Sequence, residues 1–254
     1  MAKSAASPGE GSSSYLGRML DLLELAVSDK GTAASLSELA ERAGMPVSTT
    51  SRLLAQLRSW GFLVEVDGGR HAPGPRLIAM SATVARAAYG DQRLKEATRV
   101  LTAVIGESAT AGRIVGDRIV IVARTESGRP LRAVNRTGEV LPTSRSAMGK
   151  AVLSVLPENR RIDFLRAEGV ADPERVLHEL ADELDEAAAR GYAVDEETLA
   201  VGLRCRAVPV LGWDGTPVAA LSVGGPTVRF TAELADDSVP PLQAQAAELA
   251  GSAE

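Results

Sequence analysis

The stretch Gly44-Met45-Pro46-Val47-Ser48-Thr49-Thr50-Ser51-Arg52-Leu53-Leu54-Ala55-Gln56-Leu57-Arg58-Ser59-Trp60-Gly61 decides how the first part of the chain folds. Pro46 stands near the start of a helix, where its missing N–H is harmless, and Gly61 stops that helix. Val47, Thr50, Leu53, Leu54 and Leu57 make an inward stripe, while Ser48, Thr49, Arg52, Gln56 and Ser59 point away. Just upstream, Gly44 ends a shorter helix, because a residue without Cβ takes the left-handed turn there. Leu36, Leu39, Ala40 and Ala43 form that helix's apolar side, and Ser35 or Ser37 caps it. Further back, Leu16, Met19, Leu20, Leu23, Ala26 and Val27 recur at helical spacing before Asp29-Lys30-Gly31-Thr32 breaks the pattern. Downstream, Phe62–Val66 and Arg70–Pro73 read as two strands around the turn Asp67-Gly68-Gly69. Three helices and a small hairpin, over residues 15–76, have the plan of a winged helix-turn-helix.

The outward side of the 47–60 helix is small, polar and basic near its start. Small side chains let the helix approach a duplex, and the helix start favours phosphate. Arg52 reaches a base edge or a phosphate. Between Arg42 and Arg76, five arginines (42, 52, 58, 70 and 76) face only Glu65 and Asp67, in a chain whose net charge is −5. Ser48, Thr49, Ser51, Arg52 and Gln56 are therefore the expected contacts to double-stranded DNA, with Arg70 and His71 on the wing.

Residues 77–90 read as a linker helix whose seam of Leu77, Val84 and Ala88 serves dimerisation, since readers of paired half-sites work in twos. Residues 1–14, with five serines and no apolar periodicity, read as a disordered tail that lacks the apolar stretch of a signal peptide. From Asp91 to 254 the pattern changes. A helix at 92–105 leads to strands at 108–115 and 118–124, with another over Leu131–Val134. Helices are expected near 146–155, 158–168 and 174–190, and strands return at 192–194, 203–211 and 218–223. A helix over 231–249, kinked or divided by Pro240 and Pro241, closes the domain. Strands around helices without strict alternation indicate α+β, an antiparallel sheet carrying helices.

Composition narrows the chemistry. The 254 residues are 45% hydrophobic and 24% charged, enough to build cores and too little charge for a disordered chain. With His71, His178 and Cys205 as the only histidines and cysteine, no zinc site is expected, and a single cysteine suits a cytoplasmic protein. Aromatics at 3% speak against a stacking platform for single strands. No apolar run approaches a membrane span.

Three stretches carry a family resemblance. They are Leu36–Leu54; Gly138-Glu139-Val140-Leu141-Pro142 leading to Gly149-Lys150-Ala151; and Gly191–Glu197 with Gly202-Leu203-Arg204-Cys205 and Ala219–Pro226. In their order and spacing the chain resembles the IclR family of bacterial transcriptional regulators from Tyr15 to the closing helix. The resemblance implies a GAF-like C-terminal domain that binds a small organic-acid effector, and assembly as homodimers or homotetramers. Its implied pocket residues are Ala147 and Met148 through their amides, Asp195, Leu203, Cys205 and Ser222, with Leu131 as an apolar wall. The chain departs from the family pattern at Gly224, where some relatives place a second serine, at Thr198, Arg206 and Arg145. Either arginine, turned inward, would bind a carboxylate bidentately.

Free amides and dipole at a helix start near Ser146 suit an anion independently of any family. Catalysis is not expected. Gly149-Lys150 lacks the hydroxyl residue and earlier glycine of a phosphate loop, and neither histidine stands where it would serve Ser or Cys205 as a base. The expected function is thus a transcriptional regulator, more a repressor than an activator, needing no cofactor or metal. The alternative is a DNA-binding architectural protein whose second domain serves only oligomerisation.

Overall fold

The computed structural model describes residues 14–27, 33–88, 92–132 and 136–250. The tail expected over 1–14 (Ser14 apart), the end of the linker at 89–90 and the side chains of Val84 and Ala88 lie outside the described residues, as does the 133–134 part of the strand expected at Leu131. The chain divides into two compact units, Met1–Gly90 and Asp91–Glu254.

In the first unit, α1 (Tyr15–Val27) is followed by β1 (Ala34–Ser35), α2 (Leu36–Ala43), α3 (Val47–Ser59), β2 (Leu63–Val66), β3 (Arg70–Pro73) and α4 (Pro75–Ala88). Ser35 closes a capping box with Glu38 at the start of α2, satisfying two otherwise orphaned amides. Gly44 ends α2 at φ 62°, so the turn into α3 is tight. Leu22, Leu39, Leu53, Leu54 and Leu63 are fully buried where α1, α2, α3 and β2 converge. Each contributes about 1.5–3 kcal/mol through burial. β1, too short to show a period, adds a third strand beside the hairpin in the order β1-β3-β2.

The second unit is α+β. It comprises α5 (Gln92–Ile105), β4 (Ser108–Val115), β5 (Arg118–Thr125), β6 (Val140–Leu141), α6 (Ala147–Ser154), α7 (Glu158–Glu168), α8 (Pro173–Glu179), α9 (Ala181–Arg190), β7 (Ala193–Glu196), β8 (Leu203–Leu211), β9 (Pro217–Pro226), α10 (Ala232–Asp237) and α11 (Val239–Ala250). The six strands form one antiparallel sheet, ordered β6-β5-β4-β9-β8-β7. Alternating side chains feed two cores. Ile119, Ile121, Ala207 and Ala220 pack with residues of α6, α7 and α9, while Ala109, Ala111, Val208, Leu221 and Val223 pack with residues of α5 and α11.

Some expected elements shift. Leu131 and Arg132 form no strand, and the strand on that side is β6. The helix expected at 174–190 divides at Leu180 into α8 and α9. The closing helix divides at Ser238, which leaves Pro240 and Pro241 in the first turn of α11, where no intrahelical donor is required of them. Among the described residues, no helix is long and apolar enough to cross a membrane.

Candidate functional site

Two surfaces carry chemistry, one on each unit. On the first, α3 starts at Pro46 without a side-chain cap, so its first amides remain open to a ligand such as phosphate. Ser48, Ser51 and Arg52 are exposed and Thr49 half-buried beside them. Thr50 is fully buried, its hydroxyl donating to the Pro46 carbonyl at 3.1 Å. Gln56 is half-buried and its Oε1 accepts from the Tyr15 hydroxyl, which ties the later part of this face to α1.

The arginines differ in freedom. Arg58 pairs with Glu65, Arg76 lies over the Phe62 ring at 4.8 Å, and Arg70 donates to the Ala33 carbonyl at 2.5 Å and pairs with Glu38 at 3.4 Å. Arg52 has no hydrogen-bond or ion-pair partner among the described residues.

Three expectations are corrected here. Val47, assigned to the inward stripe, is 53% exposed, because the first residue of a helix overhangs the core rather than entering it. Arg70 is committed to the protein's own backbone and to Glu38 instead of projecting from the wing. His71 is 5% exposed, because β1 zips alongside β3 with Ala34 opposite it. Burial, with the nearby Arg58 charge, holds the His71 imidazole below its ordinary pKa of 6.5, against a backbone hydrogen bond with Ala34 that raises it.

The unfolded chain therefore takes up a proton at His71 before the folded one does. The stability owed to neutral His71 is complete above about pH 6.5 and is lost as pH falls from there through the folded value. We expect the urea midpoint of this unit to drop over that window, and the His71→Gln variant to lose that part of the drop. Identical pH profiles for the two proteins would contradict the assignment.

On the second unit a small recess, with a cavity volume of about 30 Å3, opens between the sheet and α6. Ala147, Met148, Leu203, Cys205 and Ser222 line it. Ser146 caps α6 by accepting from the Gly149 amide at 3.0 Å, and the Ala147 and Met148 amides find no backbone acceptor among the described residues. Gly149 is required at its position: a Cβ there would stand 2.0 Å from the Thr143 carbonyl oxygen.

Leu131 lies in an adjoining, more apolar recess that shares Leu141, Leu199 and Leu203 with the first. Asp195, although it stands opposite Cys205 in the strand register, does not line either recess. Its Oδ1 accepts from the amides of Thr198 at 2.8 Å and Leu199 at 3.2 Å, which fixes the loop that brings Leu199 to the recess. Its Oδ2 is buried without a partner, and burial raises its pKa in spite of those two amides. Burial likewise pushes the Cys205 thiol far up, so it remains protonated and is no nucleophile.

Neither candidate arginine enters the recess. Arg206 pairs on the other face of β8 with Glu196 at 2.7 Å and Asp236 at 2.9 Å, and Arg145 is exposed. A Cβ at Gly224 would stand 2.7 Å from Cys205 Sγ, so the second serine of some relatives would require that thiol to turn aside. Sequence reasoning missed Ser108 and Thr110 on β4, and Leu141 and Leu199 as lining residues. The signal for the first two was present: Ser108-Ala109-Thr110-Ala111 places hydroxyls at every second position of a buried strand.

Among the described residues, no group of three or more His, Cys, Asp or Glu could hold a metal ion. Residues 91–250 match the family model described as Bacterial transcriptional regulator IclR C-terminal, and residues 16–67 match the IclR helix-turn-helix domain. The Acetate operon repressor of Salmonella typhimurium is 32% identical over 245 residues, covering 93% of this chain and 87% of that protein. Among solved structures, the Thermotoga maritima IclR aligns with TM-score 0.69 at 26% identity, over 93% of this chain and 97% of that one. An IclR homolog of Microbacterium hydrocarbonoxydans, solved in complex with 4-hydroxybenzoate, aligns with TM-score 0.73 at 22% identity, over 94% of this chain and 98% of that one.

Proposed function

The chain belongs to the IclR family of bacterial transcriptional regulators, and from that premise we propose that it represses transcription from an operator until a small organic acid binds its second unit. The family models and relatives are regulators, not enzymes. The observation that carries the effector reading is the recess at the start of α6, where two amides without acceptors face Ser222 and Cys205. A helix start supplies donors and positive dipole for one carboxylate.

The outward face of α3, led by Ser48, Ser51 and Arg52, reads the duplex, and the turn at the wing tip lies against its backbone. Leu16 and Leu20 on α1 and Ile78 and Met80 on α4 are exposed apolar side chains, which supports assembly with a second copy. A ligand shifts operator affinity only by its differential affinity for the two states of that assembly, and a tenfold change requires about 1.4 kcal/mol.

The test is binding of the full-length protein to duplex fragments selected from its source genome, with and without organic acids, 4-hydroxybenzoate among them. We expect at least one acid to lower operator affinity. The Ser222→Ala variant should bind the operator as the parent does and respond to that acid about tenfold less strongly, the worth of one lost hydrogen bond. A panel of acids without effect on DNA binding or melting temperature favours the architectural alternative.

A further inference from the structure

A separate cavity lies on the side of the sheet that carries α5 and α11. Its volume is about 300 Å3, a size found among small-molecule sites. It opens where α5 ends, beside the residues that follow β9 and the junction of α10 with α11. Val104, Ile105, Phe230, Leu234 and Pro241 form its apolar part. Phe230 is buried and Ile105 half-buried against the α5 and α11 core, whereas Val104 and Leu234 are 66% and 51% exposed. Apolar side chains left open around a cavity are a mark of binding surfaces. Glu107 and Ser108, consecutive in sequence, line this cavity and the recess respectively.

Charge decides what fits. Glu107, Arg129, Arg229 and Asp237 line the cavity, and two of them cancel. Glu107 is 4% exposed, and its two oxygens accept from Arg229 Nε at 2.6 Å and from an Arg229 terminal nitrogen at 2.7 Å. Arg129 is left over. Its side chain is 58% exposed and donates no hydrogen bond among the described residues. The carboxylate oxygen beside it, Glu107 Oε1, is 3.9 Å away and already bonded to Arg229. The Asp237 carboxylate is exposed and likewise has no partner among the described residues. The cavity therefore sets one spare positive and one spare negative charge around an apolar floor. A phosphate or a dicarboxylate finds one free cation here and is opposed by Asp237, and a wholly apolar ligand leaves both charges unused.

We propose that this cavity is a second ligand site, distinct from the recess, and that it takes a free amino acid with an apolar side chain. The carboxylate accepts from the Arg129 guanidinium, whose planar fork suits two parallel hydrogen bonds. The ammonium donates to the Asp237 carboxylate. The side chain lies on Ile105 and Phe230, between Val104, Leu234 and Pro241. Burial of that side chain supplies most of the affinity, and the two charges, both near solvent, select for a zwitterion. The site goes beyond the effector reading and does not depend on it.

Two matched series test this on the full-length protein by calorimetric titration. The first is L-phenylalanine, 3-phenylpropanoate and 2-phenylethylamine; the second is L-leucine, 4-methylpentanoate and 3-methylbutylamine. Within at least one series the amino acid should bind about tenfold more tightly than the acid or the amine. Arg129→Gln should remove about that factor from the amino acid and leave the amine unchanged. Asp237→Asn should weaken the amino acid similarly and leave the acid unchanged. Both side chains are exposed, so neither substitution disturbs folding. Every titration is repeated on Ser222→Ala, which separates binding in the recess from binding here and should leave the amino acid's affinity as it is. An amino acid that binds no better than its analogues in either series, or whose affinity ignores Arg129→Gln and Asp237→Asn, would overturn the proposal. So would affinity lost in Ser222→Ala, or no binding of either amino acid at about 10 mM. None of these results touches the effector reading, which stands or falls on the operator experiments.

Discussion

Arg52→Ala should weaken operator binding about 5- to 150-fold at moderate salt, the equivalent of about 1–3 kcal/mol. The expectation follows from freedom as much as from charge. Arg58, Arg70 and Arg76 are held by Glu65, by the Ala33 carbonyl with Glu38, and by the Phe62 ring, so they have other work when DNA arrives. Arg52 is exposed on the outward side of α3, and no described residue pairs with it or competes for it. Titration by fluorescence anisotropy at several salt concentrations separates its two available roles. A phosphate contact lowers the salt slope by about one and weakens all sequences alike. A base contact relaxes specificity at one position. Unchanged affinity at every salt concentration would remove Arg52 from the interface.

Gly149→Ala should destabilise the second unit by about 3 kcal/mol or more, at the severe end for one added methyl group. The new Cβ would lie 2.0 Å from the Thr143 oxygen and 2.5 Å from its carbonyl carbon and Cα, all backbone atoms that no side-chain rotation can clear. Either the 142–146 turn or α6 must move, and every residue of α6 is buried. Since that same turn presents the Ala147 and Met148 amides, the variant should also lose its response to the effector. Gly128→Ala is the control: a Cβ there meets nothing within 4 Å, and its effect should stay within about 0.5 kcal/mol. Urea unfolding of the three proteins decides the matter, and a Gly149→Ala midpoint equal to the parent's would contradict the close approach.

The first unit was largely legible because its signals are local. Gly44, Pro46 and Gly61 punctuate the helices, and Leu53, Leu54 and Leu57 repeat at helical spacing, which is enough to set α3 against α2. His71 was not legible, because what buries it is β1, two residues that pair with β3 across 35 and 37 positions in sequence. Arg70 changed role for the same reason, its guanidinium closing on the Ala33 carbonyl beside that strand.

In the second unit the start of α6 could be placed from Ser146 and its followers, and the residues carried by family likeness mostly do line the recess. Asp195 shows the limit of that transfer: the likeness names it as a pocket residue, yet its carboxylate turns to the Thr198 and Leu199 amides. Ser108 and Thr110 were overlooked because they matter only once β4 lies beside β9, a pairing of residues more than a hundred positions apart that no local period announces. Arg206 is a similar case, settled by Asp236 thirty residues away.

The central claim is that the outward face of α3 lies in the major groove of an operator duplex. Methylation protection at guanine N7, an acceptor presented in that groove, tests it most directly when the full-length protein is bound to a fragment selected from its source genome. The account predicts guanines protected within the bound site, and protection weakened at one or more of them by Arg52→Ala. Binding that leaves every guanine N7 reactive, or protection unchanged in the variant, would contradict it.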